Sequence, residues 1–327
     1  MKRLAVVGTC VAVLFFLFLG PHLAGAKDPF KIGLSVWVGF GPVHLAKAKG
    51  FFSGQGVDVE IVPIEDVKLG YAALAAKRIE AYGGTPQSLL INMKPDTPFV
   101  MVMTLDDSKG GDGIVAKKEI TTLADLKGKR VAFLEGSISQ FYLNYALKRV
   151  GLSEKDVTAV SMTAGDAGAA FVANRVDAAV TWEPWLTRAK ATPHGHILID
   201  STQTPGVIID TLVVRDDVVK SRPDDVRKVV RAIHQAVDYW KANTKDANAI
   251  MSKELGGWLK DPKDFEGALA GAKLYERADN QRFMGTKQNP GEMYKLVRDV
   301  IEFWRETGKL LWKDVKPEDV INSSFLE

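Results

Sequence analysis

RVAFLEGSISQFYLNYALKRVGLSEKDVTAVSMTAGDAGAAFVANRVDAAVTW, residues 130–182, reads as strand, helix, strand, helix, strand. Arg130 to Leu134 is a short apolar run that Glu135-Gly136 stops. Ser139 to Val150 carries apolar residues at helical spacing, Val157 to Met162 alternates, Ala167 to Asn174 is helical again, and Ala178 to Trp182 closes the set as a strand. Strands that alternate with helices imply a parallel sheet joined by crossover helices.

The same rhythm runs through the preceding residues. Phe30 to Val36 fits a strand, Pro42 to Lys49 a helix stopped by Gly50, Val57 to Val62 a strand, Lys68 to Lys77 a helix and Ile79 to Tyr82 a third short strand. Two α/β halves in a chain of 327 residues imply two lobes, each with its own core. Asp112 to Ala116 would carry the chain into the second lobe, and Pro205 to Val214 would bring it back. The expected division is 1–26 as a signal peptide, 27–113 plus 212–327 as the first lobe and 114–211 as the second. Beyond Pro223 the pattern is helical, over Asp224 to Trp240, Lys245 to Leu255, Lys263 to Tyr275 and Pro290 to Thr307.

The first residues set the compartment. Lys2-Arg3, an apolar run from Leu4 to Leu19 and the small triplet Ala24-Gly25-Ala26 make a secretory signal with cleavage after Ala26. The competing reading, a membrane anchor, has an apolar run at the short end of a spanning helix. A lipoprotein would need a cysteine at the cleavage point, whereas Cys10, the one cysteine, sits inside the apolar run. The mature chain then holds no disulfide, no thiolate metal site and no cysteine nucleophile. A soluble periplasmic monomer is expected, with no metal and no cofactor. The 43 basic and 40 acidic residues give +3, and loss of Lys2 and Arg3 leaves +1. That balance makes no electrostatic case for nucleic acid or an anionic membrane.

In open α/β sheets a ligand binds beyond the carboxyl ends of the strands. The rule selects the loops Trp37 to Pro42, Gly83 to Gln87, Leu105 to Asp112, Glu135 to Gln140, Gly165 to Ala167 and Trp182 to Trp185. Trp37 and Trp182 are candidate aromatic walls, with Phe40 and Gly41 beside the first, although either tryptophan would serve equally as hinge-side core. Thr85-Pro86 and Ser137 with Ser139 sit between strand and helix, where hydroxyls and free N–H groups can hold an oxygen or merely cap the helix. Asp106, Asp107, Asp112, Glu135, Asp166, Glu183 and Asp210 also fall at these loops, against Lys109 alone. A hard anion normally meets Arg or Lys, so this count favours a neutral, cationic or zwitterionic ligand. The plainer readings are that Asp166 caps a helix, that Asp106 and Asp107 belong to a turn, and that Glu183 braces the hinge.

Four motifs carry a family resemblance. Trp37-Val38-Gly39-Phe40-Gly41-Pro42 leads through Ala46 to Gly50-Phe51-Phe52; Asp125-Leu126-Lys127-Gly128-Lys129-Arg130-Val131-Ala132 follows; Gly136-Ser137 opens a helix; and Val176-Asp177-Ala178-Ala179 runs on to Trp182-Glu183-Pro184. Together they resemble the nitrate, sulfonate and taurine group of ABC-transporter solute-binding proteins. The resemblance implies a type II two-lobed fold with two crossing segments, closing on a small-molecule solute that is handed to the permease and ATPase subunits of an importer. It implies the six loops above as the ligand loops, with Trp37, Phe40, Gly41, Thr85, Pro86, Asp107, Asp112, Ser137, Ser139, Asp166, Trp182, Glu183 and Asp210 as candidate contacts. The stretches Leu105 to Val115 and Pro205 to Asp210 also resemble a subgroup found with urea-carboxylase-type transport genes, which implies urea-like or guanidinium-like solutes.

Two other classes compete. Pyrimidine-synthesising enzymes of thiamine metabolism share the implied fold, but that chemistry in the related family uses an iron site with a cysteine-rich motif and an active histidine. Here the mature chain lacks cysteine, and His44, His194, His196 and His234 are scattered, with Pro193 to His196 reading as a surface turn. The sensor half of a receptor would need a following membrane segment, and none precedes the end at Glu327.

Overall fold

The computed structural model describes residues 28–286 and 288–326. The expected signal peptide, Cys10 included, lies outside them. Among the described residues no helix is long and apolar enough to cross a membrane.

Two sheets organise the chain. The first takes strands β1 (Phe30–Leu34), β2 (Val59–Pro63), β3 (Ala81–Gly84), β4 (Phe99–Ser108), β10 (Ile209–Arg215) and β11 (Ala272–Leu274), in the order β11-β4-β10-β3-β1-β2. The second takes β5 (Asp112–Lys117), β6 (Arg130–Phe133), β7 (Thr158–Ser161), β8 (Ala178–Trp182) and β9 (Gly195–Asp200), in the order β7-β6-β8-β5-β9. The strand–helix alternation of 130–182 appears as expected: β6 pairs with β7 and β8 in parallel, through helices Ile138–Lys148 and Ala164–Val172.

Neither sheet is wholly parallel. β10 runs antiparallel to both β3 and β4, and β5 antiparallel to both β8 and β9. These are the strands that enter and leave the second lobe, so each must reverse against its neighbours. The crossings are tighter and earlier than expected. The outward one is 109–111 and the return is 201–208, because Asp112–Lys117 already belongs to the second sheet and Ile209–Arg215 to the first. Ser201 ties them: its hydroxyl lies 2.8 Å from that of Ser108 and accepts from the Gly110 N–H at 2.7 Å.

Three other sequence readings change. Leu105 to Ser108 is the end of the buried strand β4 rather than a loop. The helix expected over Lys263 to Tyr275 stops at Leu269, and β11 follows as an edge strand on β4. The segment read as a turn at Pro193 to His196 runs into β9, where the His196 ring bonds the Ile120 carbonyl at 2.8 Å. Helices Pro223–Ala242 and Glu292–Glu306 pack apolar faces onto the first lobe, with Trp304 fully buried and its indole N–H on the Gln87 carbonyl at 3.0 Å.

Candidate ligand cleft between the lobes

Both lobes contribute to one cleft cavity at the carboxyl ends of their central strands. The first lobe supplies Ser35, Trp37, Phe40, Val67, Gly83, Gly84, Thr85, Ser88 and Asp210, the return crossing Ile208, and the second lobe Asp112, Ile138 and Trp182. The space open to the centre of a water-sized sphere is about 30 Å³.

Trp37 is fixed at both ends. Its indole N–H donates to the Asp106 carboxylate at 3.1 and 3.2 Å, and its ring lies against Gly111 of the outward crossing. A Cβ on Gly111 would stand 2.4 Å from the ring, and one on Gly39 would stand 2.0 Å from an Asp106 oxygen. Only glycine permits both approaches. Trp182 reaches across the lobes, and its indole N–H donates to the Val36 carbonyl at 2.9 Å.

Three carboxylates converge here. Asp106 on β4 pairs in register with Asp210 on β10, and Asp112 opens β5 a few residues on. Burial drives all three upward, and each feels a negative neighbour. Asp106 is held well above the usual carboxylate range despite the Trp37 donor, Asp210 likewise with Asp106 and Asp112 adding repulsion, and Asp112 is raised to about 7 with Glu183 contributing. Desolvation without a cationic partner is the common cause. Among the described residues no group of three or more His, Cys, Asp or Glu is arranged to hold a metal ion.

Of the candidate residues, Trp37, Phe40, Thr85, Asp112, Trp182 and Asp210 line the cavity. The other seven lie outside its wall, each for a local reason. Gly41 starts helix Gly41–Ala48 and packs on Met251. Pro86 occupies the first turn of helix Pro86–Asn92, which Thr85 caps by accepting from the Ser88 N–H. Asp107 follows Asp106 on a strand and so faces the other way, towards Lys109, Gly206 and Lys273. Ser137 caps helix Ile138–Lys148, accepting from the Ser139 N–H and donating to the Leu134 carbonyl. Ser139 is the second residue of that helix and lies outside the cavity wall, while its neighbour Ile138 reaches the cavity. Asp166 is exposed and accepts from the Thr163 hydroxyl. Glu183 accepts from the Thr187 N–H and hydroxyl, so it braces helix Trp185–Lys190.

Sequence reasoning missed Ser35, Val67, Ser88 and Ile208 as walls, and within the loop Glu135 to Gln140 it singled out the serines where Ile138 is the wall. The Gly83-Gly84 pair ending β3 was the available signal, because backbone without side chains there leaves room beneath Phe40 and Tyr71.

Two α/β lobes with two crossings and a cavity between them define the periplasmic binding protein fold. Within it, this chain belongs to the NMT1/THI5-like family, whose sequence profile matches residues 37–247. A relative, the taurine-binding periplasmic protein of Escherichia coli, is 23% identical over 286 residues, covering 82% of this chain and 84% of its own. The alkanesulfonate-binding protein SsuA of Xanthomonas axonopodis pv. citri, solved with MOPS, superposes with a TM-score of 0.73 at 18% identity, covering 91% of this chain and all of that one. A desulfurization enzyme, DszB, superposes at 0.64 with 16% identity over 92% and 98% of the two chains. At such identities the structural matches establish the fold alone.

Proposed function

We propose that this chain is the extracytoplasmic solute-binding protein of an ABC importer, capturing a small polar organic solute by hinge closure and delivering it to the permease. The observation that carries the reading is the cavity itself. Its walls come from both lobes, and among the described residues the backbone crosses between them at 109–111 and 201–208. A ligand touching both walls favours the closed state over the open one, which is the thermodynamic content of hinge closure. The taurine- and sulfonate-binding names of relatives support the same class. Binding rather than catalysis is supported by the binding-protein names of the relatives; among the described residues the cavity wall holds hydroxyls and carboxyls but no His, Cys, Lys or Arg. Export to the periplasm and a monomeric state complete the reading.

Small-angle scattering on mature protein, with and without solutes that raise its melting temperature, tests it. A ligand at 100 times its dissociation constant adds about 2.7 kcal/mol of stability. The radius of gyration should fall at saturation; an unchanged radius with a bound solute would sink hinge closure.

A further inference from the structure

The cavity's polar groups are matched to a donor-rich ligand. Resting on the binding-protein reading, we propose that the solute is a small organic cation bearing several N–H donors, a compact guanidinium, amidinium or alkylammonium. It sits between Trp37 and Trp182 with its charge shared by Asp112 and Asp210.

The case begins with an unpaired acceptor. Asp210 is only 8% exposed, lines the cavity, and its carboxylate receives no hydrogen bond among the described residues. Buried acceptors without donors are rare and costly. Asp106, the neighbour across the ladder, already takes the Trp37 indole and offers only more negative charge. The Tyr71 hydroxyl, buried without a partner, lies behind Gly84 rather than in the cavity wall and supplies no donor in the wall itself. An entering ligand must supply the missing donors to Asp210, and an ion with several N–H bonds does so from one centre.

Charge points the same way. The groups facing the carboxylates from the packed elements are Asp106 and the Ser108 hydroxyl on β4, Asp112 at the start of β5, Glu183 after β8, and the phenols of Tyr71, Tyr82 and Tyr142, with no cation among them. Lys109 and Lys273 act on Asp107, on the opposite side of β4. A sulfonate or nitrate would place oxygens against oxygens, and the Ser88 amide at the first lobe's helix start is occupied by Thr85. Two indoles at the cavity wall add favourable faces for a cation.

The opposing arrangement is specific: the carboxyls could stay protonated and donate to an anion. The two modes differ in proton linkage. A cation stabilises the carboxylates, lowers their raised affinities for protons and releases protons near pH 7, where Asp112 titrates. Its affinity therefore rises from pH 6 to 8. An anion held by protonated carboxyls takes protons up and weakens over the same span.

Titration calorimetry in two buffers of different ionisation enthalpy, with guanidinium, ethylammonium, ethanesulfonate and nitrate, decides between them. The expected result is one-site binding of a cation at least ten times tighter than either anion, with proton release. Asp210→Asn should weaken that binding at least tenfold without lowering the melting temperature, since it removes charge repulsion from the free protein. Tighter binding of ethanesulfonate or nitrate, proton uptake, or undiminished cation binding by Asp210→Asn overturns the cation assignment. If an anion binds and scattering shows compaction, the binding-protein reading stands without it. If none of the four probes binds or compacts the protein, the cation assignment fails outright. A wider solute screen without compaction would then bring down the binding-protein reading as well.

Discussion

Asp112 and Glu154 are both carboxylates in the gap between the lobes, and their surroundings push them in opposite directions. Glu154 is half-buried, yet it accepts from Asn144, Gln140 and Lys309, and these donors hold its carboxyl below the usual range although burial acts against them. Lys309 follows helix Glu292–Glu306 of the first lobe while Glu154 belongs to the second, so the pair is a latch across the lobes. Asp112 lies deeper and receives only the Ser108 hydroxyl, so burial, with Glu183 nearby, raises it to about 7. Depth and donors together separate a carboxylate that fastens the fold from one held ready for something absent from the fold itself.

The largest effect expected from breaking this contrast is a gain. In the unfolded chain Asp112 ionises near 3.8, whereas in the fold it ionises near 7. Below pH 3.8 both states hold the proton. As pH climbs, the unfolded state ionises first and the fold loses stability until the folded value is passed, at about 1.4 kcal/mol per unit and about 4 kcal/mol in all. Asp112→Asn abolishes that loss. Its stability advantage over wild type should grow from near zero at pH 4 to a few kcal/mol at pH 7.5, read by urea denaturation. His44 and His234, kept neutral down to about pH 4 by burial, titrate in the opposite sense, so only the difference between the two proteins isolates Asp112. A variant less stable than wild type at pH 7.5 would mean that Asp112 has a cationic partner.

The converse change should cost stability. Glu154→Gln keeps the shape but removes the charge that receives three donors and ties Lys309. A charge-assisted hydrogen bond contributes about 1.5–3 kcal/mol, and partial exposure of both side chains moves the expectation to the lower end. Because the lost contact spans the lobes, the ligand-free radius of gyration should rise as well. A drop in melting temperature with no change in radius would reduce Glu154 to a local brace of the second lobe.

The two regions also differ in how far the sequence revealed them. Both lobes, their strand–helix rhythm and the cleft at the strand ends were legible, because apolar periodicity and glycine stops are local signals. Trp37, Phe40, Thr85, Trp182, Asp112 and Asp210 could be placed by position relative to those strands. The convergence of Asp106 with Asp210 was not legible: it depends on the register of β10 against β4, set by residues about a hundred apart. The Glu154–Lys309 latch escaped for the same reason, with 155 residues between its ends. Where a local fork exists, the sequence leaves both roles open: Ser137, Asp166 and Glu183 read as capping, bracing or ligand contact, and the hydrogen bonds with Ser139, Thr163 and Thr187 show the capping and bracing side of that fork.

Asp166 gives the smallest effect and the sharpest control. It lies in the first turn of helix Ala164–Val172, where its N–H donates to the Thr163 hydroxyl at 3.2 Å and its carboxylate accepts from that hydroxyl at 2.7 Å. It is exposed and outside the cavity wall. Asp166→Asn retains an acceptor for Thr163 and removes one negative charge from a helix start, worth about 0.3–1 kcal/mol at low salt and less as salt screens it. Melting temperature should therefore shift slightly and in a salt-dependent way. Calorimetry with whichever solute the protein takes should give an unchanged dissociation constant. Both Asp166 and Asp210 sit on cleft-side segments by sequence, and only the second lacks a hydrogen-bond donor and faces the cavity. Equal losses of affinity in the two variants would show that the field of the whole acidic rim, rather than the two carboxylates in the wall, holds the ligand, and the distinction between partnered and unpartnered carboxylates would lose its functional meaning.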